Sequence, residues 1–204
     1  MTSAEAILEK TTLGLNLPSD PRWATLAEDS IIDILIDHAW CEQKAASTGI
    51  SLIVKFGDRP KIVEVLTPIV AEEWEHFRRV IAELKKRGHE LTHKRVDTYV
   101  VELMKTERAG HHIDRQLMDK LLISAMVEAR SCERFKILHQ TIKDKELSAF
   151  YYELMISEAG HYRCFIDLAK EFRPEAEVDA RWKELLVLEA EIIKNIGVRE
   201  GMMH

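Results

Sequence analysis

Glycine and proline are scarce in this sequence, at 8 and 5 of 204 residues. A β-sandwich needs turn residues every ~8–12 positions and a dinucleotide-binding α/β fold needs a glycine fingerprint; neither pattern occurs. Cysteine is scarce too. Cys41, Cys132 and Cys164 are far apart and form no CxxC, which excludes a disulfide framework and a cysteine zinc site and fits a reduced, cytoplasmic protein. No apolar run approaches the ~18 residues of a membrane-spanning helix. The opening MTSAEAILEKTTLGL has no basic stretch leading into an apolar one, so export is not expected. Net charge is −6, which weighs against indiscriminate nucleic-acid binding but leaves room for a local basic patch.

What is present is helical periodicity over nearly the whole chain. Asp20-Pro21 is a start signal, an Asp cap followed by Pro at the first helical position, and the helix it opens should end near Gly49. Pro60 opens a second helix that stops at Gly88, with Lys85, Lys86 and Arg87 suiting the dipole of its last turn. Pro68 should kink that helix or shift its start. Residues 92–106 predict a shorter helix, Ile113–Ile142 and Asp144–Phe172 two long ones, and Pro174-Glu175 the start of another that ends before Gly197. With no low-complexity segment or linker, residues 1–204 predict a single all-α domain: a four-helix bundle with additional helices.

Two ExxH pairs carry the chemistry: Glu73–His76 and Glu158–His161. Positions i and i+3 share a helix face, so each pair presents a carboxylate and an imidazole to one point. Each interrupts an otherwise apolar stripe: Leu66, Ile69, Val80 and Leu84 around the first, Tyr151, Leu154, Met155 and Phe165 around the second. A buried carboxylate needs a cation. The same test selects Glu42, whose helical neighbours are Leu35, Ala39, Ala45 and Ala46. It also selects Glu128, among Leu121, Ser124, Ala125 and Cys132. Glu75 and Glu133 have polar or charged neighbours and read as surface acids, and His38, one turn before Glu42, as a structural histidine. Glu42 precedes Glu73 by 31 residues and Glu128 precedes Glu158 by 30, so the chain holds two copies of one pattern. Glu42, Glu73, His76, Glu128, Glu158 and His161 are thus the donor set of a ferritin-like di-iron or di-manganese site, in which bridging anions offset the repulsion of two divalent ions and imidazole favours iron over magnesium or calcium. Which carboxylates bridge is not readable from spacing, and no catalytic residue beyond the ligands is indicated.

The segments AWCEQKAAS (39–47), EEWEHF (72–77), GHHIDR (110–115), EARSCERF (128–135) and SEAGHYRCF (157–165) resemble those of the bacterial tRNA hydroxylases that act on 2-methylthio-N6-isopentenyladenosine. The resemblance spans essentially the whole chain and includes all six donors. It implies an O2-dependent, non-haem di-iron monooxygenase that hydroxylates the isopentenyl group of the modified adenosine in tRNA. The small residues Ser124, Ala125, Ser131 and Cys132 beside Glu128 suggest room for O2 and a prenyl group. The absence of any GxGxxG requires a separate reductase or ferredoxin as electron donor. Two other readings use the same residues differently: a ferritin-like iron-oxidising or peroxide-reducing protein of rubrerythrin type, and a metal-free helical interaction protein. For RNA binding the sequence offers one basic stretch. Arg78–Arg115 holds ten Lys/Arg against six Asp/Glu, a local balance of +4, densest at Lys85, Lys86, Arg87, Lys94 and Arg95.

Overall fold

The computed structural model describes residues 13–93, 96–110 and 112–204. Among the described residues there are seven helices and no strand: α1 (Arg22–Asp29), α2 (Ile31–Phe56), α3 (Pro60–Lys86), α4 (Thr98–Met104), α5 (Ile113–Thr141), α6 (Lys145–Phe172) and α7 (Glu175–Ile196). The described residues fall into two compact units, one formed by Leu26–Val96 with Glu200–Met203, the other by Asp97–Arg199 with His204 and residues 13–25.

In the first unit α2 and α3 form a tightly packed helical hairpin. Two sequence expectations are corrected here. The helix expected to run unbroken from Pro21 is interrupted at Ser30, whose backbone leaves helical geometry (φ −116°) and whose hydroxyl donates to Leu26 O at 2.6 Å. Nor does Gly49 end α2, which continues to Phe56. A Cβ at position 49 would come within 2.5 Å of the Val70 side chain, so this glycine is a point of close approach between α2 and α3. Pro60 does open α3, and the helix runs through Pro68 with its start unmoved. It closes where expected, with Gly88 at φ +78°.

The second unit is built on the α5–α6 pair, with α7 packed on both and α4 packed on α7 and α5. Asp144 caps α6 by accepting from the Glu146 and Leu147 backbone N–H groups at 3.0 and 3.1 Å. The helix expected over 92–106 is confined to Thr98–Met104, because the Asp97 side chain accepts from Val100 N at 3.1 Å and caps it there. α5 is buried nearly all round: every residue from Glu128 to Phe135 is buried. Its polar members are satisfied internally. Arg130, with no exposed surface, donates to Glu189 Oε1 through Nε and Nη2 (2.9 and 2.7 Å), to Leu17 O (2.9 Å) and to Glu133. Glu133 in turn accepts from Ser19 N at 2.9 Å and Ser19 Oγ at 2.6 Å. The expectation of a surface position for Glu133 is therefore wrong: it is a buried acid that anchors the Leu17–Ser19 segment to α5. A second buried pair, Arg181–Asp119, joins α7 to α5 at 2.9 Å.

Candidate metal centre

Each unit contains one triad of its own, and helical spacing makes both. In the first, Glu42 projects from α2 and Glu73 and His76 from successive turns of α3; each offers a donor atom, and these atoms lie within 4.8 Å of one another. His76 Nδ1 is 3.5 Å from Glu42 Oε2 and 4.0 Å from Glu73 Oε2. In the second, Glu128 on α5 and Glu158 and His161 on α6 also bring donor atoms within 4.8 Å, with His161 Nδ1 3.2 Å from Glu158 Oε2. All six residues are buried. Two carboxylates this close, away from water, repel one another in the ionised state. A divalent cation relieves that repulsion, and mixed carboxylate and imidazole donors suit iron or manganese. The residues present fit such a group.

The structure adds a residue that sequence reasoning had set aside as structural. His38, fully buried, places Nε2 2.5 Å from Glu42 Oε1 and so holds the orientation of that carboxylate. Its signal was the i, i+4 spacing to Glu42. The small-residue stripe beside Glu128, by contrast, is filled in part. Ser131 Oγ lies 3.1 Å from His204 Nε2, and the Cys132 thiol donates to Met155 O at 3.3 Å. Burial pushes the Cys132 thiol up, which favours its protonated form. Glu75 is exposed and donor-bound to Arg78 at 2.6 Å, as its polar neighbours predict.

The basic stretch is described in part. Lys85 and Lys86 are exposed at the end of α3, and Arg87 is turned back onto the Glu83 carboxylate. Lys94 and Arg95, like His111, lie outside the described residues. His112 caps α5 through Nδ1, which accepts from Asp114 N.

Helical hairpins that each carry a Glu and a Glu-x-x-His on apolar stripes define the ferritin-like carboxylate metalloprotein class. Residues 6–204 match the family described as tRNA-(MS[2]IO[6]A)-hydroxylase (MiaE), and the chain belongs to that family. It is 37% identical over 182 residues (89% of this chain, 87% of the relative) to the tRNA 2-(methylsulfanyl)-N(6)-isopentenyladenosine(37) hydroxylase of Pseudomonas putida. To the enzyme of the same name from Salmonella typhimurium it is 26% identical, over 88% of this chain and 83% of that one. Among solved structures it is similar to a protein from Synechococcus described as having aldehyde deformylating oxygenase activity, with a TM-score of 0.88, 30% identity and coverage of 93% of this chain and 94% of the other. The fold class is thus all-α and ferritin-like, as the sequence predicts.

Proposed function

We propose that the two triads act together as one di-iron centre in a single functional domain, and that the chain is an O2-dependent hydroxylase of the isopentenyl group of 2-methylthio-N6-isopentenyladenosine in tRNA. The observation that carries this reading is the paired, buried Glu/Glu/His donor set in a chain of the tRNA-hydroxylase family. A bound di-iron pair supplies the oxidising power for placing one oxygen atom of O2 in a C–H bond, the other leaving as water with two electrons and two protons taken up. The chain's own part is to hold the ions through Glu42, Glu73, His76, Glu128, Glu158 and His161. His38 fixes the Glu42 carboxylate, and the surrounding apolar stripes keep bulk water from the reacting carbon. Electrons come from a separate reductase or ferredoxin, since the sequence offers no nicotinamide or flavin fingerprint. No helix among the described residues is long and apolar enough to cross a membrane, and an RNA substrate places the enzyme in the cytoplasm.

Iron-loaded, reduced protein given isotopically labelled O2 should deliver one labelled oxygen atom into the prenyl side chain of the tRNA nucleoside, read by mass spectrometry. Label arriving from water, or iron oxidation and peroxide consumption with no nucleoside product, would overturn the hydroxylase reading and favour the rubrerythrin-type one.

Substrate RNA is held, in this reading, by the basic stretch of Lys85, Lys86, Arg87, Lys94 and Arg95. Because Lys85 and Lys86 are exposed and far along α3 from the ligands, their reversal to Glu should leave iron content untouched. It should weaken tRNA binding and lower the slope of log affinity against log salt by about 2, one per lost phosphate contact. Unchanged affinity in a salt titration would put the RNA surface elsewhere.

A further inference from the structure

A pocket of about 370 Å³, wholly within the second unit, is lined by the Leu17–Trp23 segment, by Arg134 of α5 and by the end of α7 at Lys194 and Gly197. Arg134 is only 5% exposed, yet its Nε and Nη1 groups are buried without a hydrogen-bond partner. Its guanidinium carbon lies over the Trp23 ring, 4.1 Å from the centroid, a cation–π contact that holds the group in place. Burial, reinforced by the neighbouring Arg130, draws its pKa down to about 10, so it still carries its proton at neutral pH. The acids nearby are already engaged: Glu133 by Arg130 and Ser19, Glu189 by Arg130. At the rim, Asp20 and Arg22 close on each other at 2.6 Å and cancel. With Asp20 set against Arg22, the lining keeps a net charge of +2 from Arg134 and Lys194. The walls are held in place before any ligand arrives, since Ser19 is fixed by Glu133 and Leu17 O by Arg130.

Buried N–H donors on an ionised group are strongly disfavoured unless an acceptor completes them, and a planar guanidinium pairs best with an oxyanion. We propose that this pocket binds the terminal phosphate dianion of a phosphate monoester, a group for which inorganic phosphate is the simplest probe. Two uncompensated cations match a charge of about −1.5 to −2. The recessed position of Arg134 favours a terminal phosphate, which can protrude inward, over a phosphodiester flanked by sugars on both sides. The α7 C-terminus alone would disfavour an anion, but the Gly197 N–H turns back to cap Ile193 O at 3.0 Å and takes up one of its carbonyls.

Calorimetric titration of the full-length, iron-loaded protein with inorganic phosphate, at ionic strength held constant with chloride, tests this. One saturable site per chain is expected, with affinity reduced about tenfold or more in Arg134→Gln. Lys194→Glu, at an exposed position that leaves the fold untouched, should show a comparable loss and keeps the test open if the first variant is unstable. Affinity for tRNA should be the same in all three proteins and insensitive to phosphate. Absence of a saturable site in the parent protein, or equal phosphate affinity in all three, would overturn the proposal. Competition between phosphate and tRNA at this pocket would also overturn it, assigning the pocket to a backbone phosphodiester instead.

Discussion

Replacing Glu128 by alanine should lower bound iron from about two ions per chain to about one, and hydroxylation of tRNA should fall below detection. Glu128 is one of the two carboxylates that its unit supplies to the candidate site, and its loss removes much of the negative charge that would hold an ion there. Glu75→Ala is the matched control: its carboxylate is exposed and pairs with Arg78, so iron content and activity should not change. The metal-free proteins supply an independent readout. Without an ion, Glu128 and Glu158 repel one another in a buried place, so metal-free Glu128→Ala should be more stable than the metal-free parent, by about 1 kcal/mol. Added iron should then raise the melting temperature of the parent more than that of the variant. Full iron loading in Glu128→Ala would show that the donor set has been assigned wrongly.

The second large effect is on stability alone. Arg130→Ala should cost about 3–5 kcal/mol in urea unfolding, because it strands two buried carboxylates, Glu133 and Glu189, and releases Leu17 O. The pH dependence of that loss has a definite sign. Burial, against the pull of Arg130, already holds the Glu189 carboxyl above its ordinary value, and removal of Arg130 raises it further. A carboxyl whose folded pKa is raised favours the folded state once protonated and disfavours it as pH climbs through the folded value. The deficit of Arg130→Ala should therefore shrink as pH is lowered from about 8 toward 5. Replacing Arg130, Glu133 and Glu189 together by apolar residues of similar size should recover much of the lost stability. An Arg130→Ala protein as stable as the parent at neutral pH would mean that the network contributes nothing net.

The candidate donor set was legible because helical spacing exposes a charged residue on an apolar stripe. Glu73, His76, Glu158 and His161 interrupt such stripes, and all four are buried. Starts and stops written in local chemistry were equally readable: Pro60 opens α3, Asp144 caps α6 and Gly88 closes α3 in a left-handed conformation. Glu133 was misread for a physical reason. Neighbours on one's own helix report exposure only when the helix has one wet face, and α5, packed by α6, α7 and the Leu17–Ser19 segment, has none over Glu128–Phe135. His38 reads as structural from spacing, because a histidine one turn from a carboxylate is common; the 2.5 Å distance to Glu42 Oε1 favours the other reading, a partner of that carboxylate. Gly49 illustrates the remaining ambiguity: the same residue type ends a helix or lets two helices touch, and only the partner, Val70, decides between them.

That contact also sets a fulcrum. Glu42 lies seven residues from Gly49 along α2, about 10 Å, and Glu73 three residues from Val70 along α3, about 4.5 Å. The two helices behave as rigid arms over such lengths, so the thickness of residue 49 governs how far apart the arms stand where the carboxylates project. Glycine is the thinnest shim available, and a Cβ at this position requires either the Val70 side chain or the helix pair itself to give. The spacing of the arms that carry the donor triad is thus tied to a residue two turns away that would touch no metal.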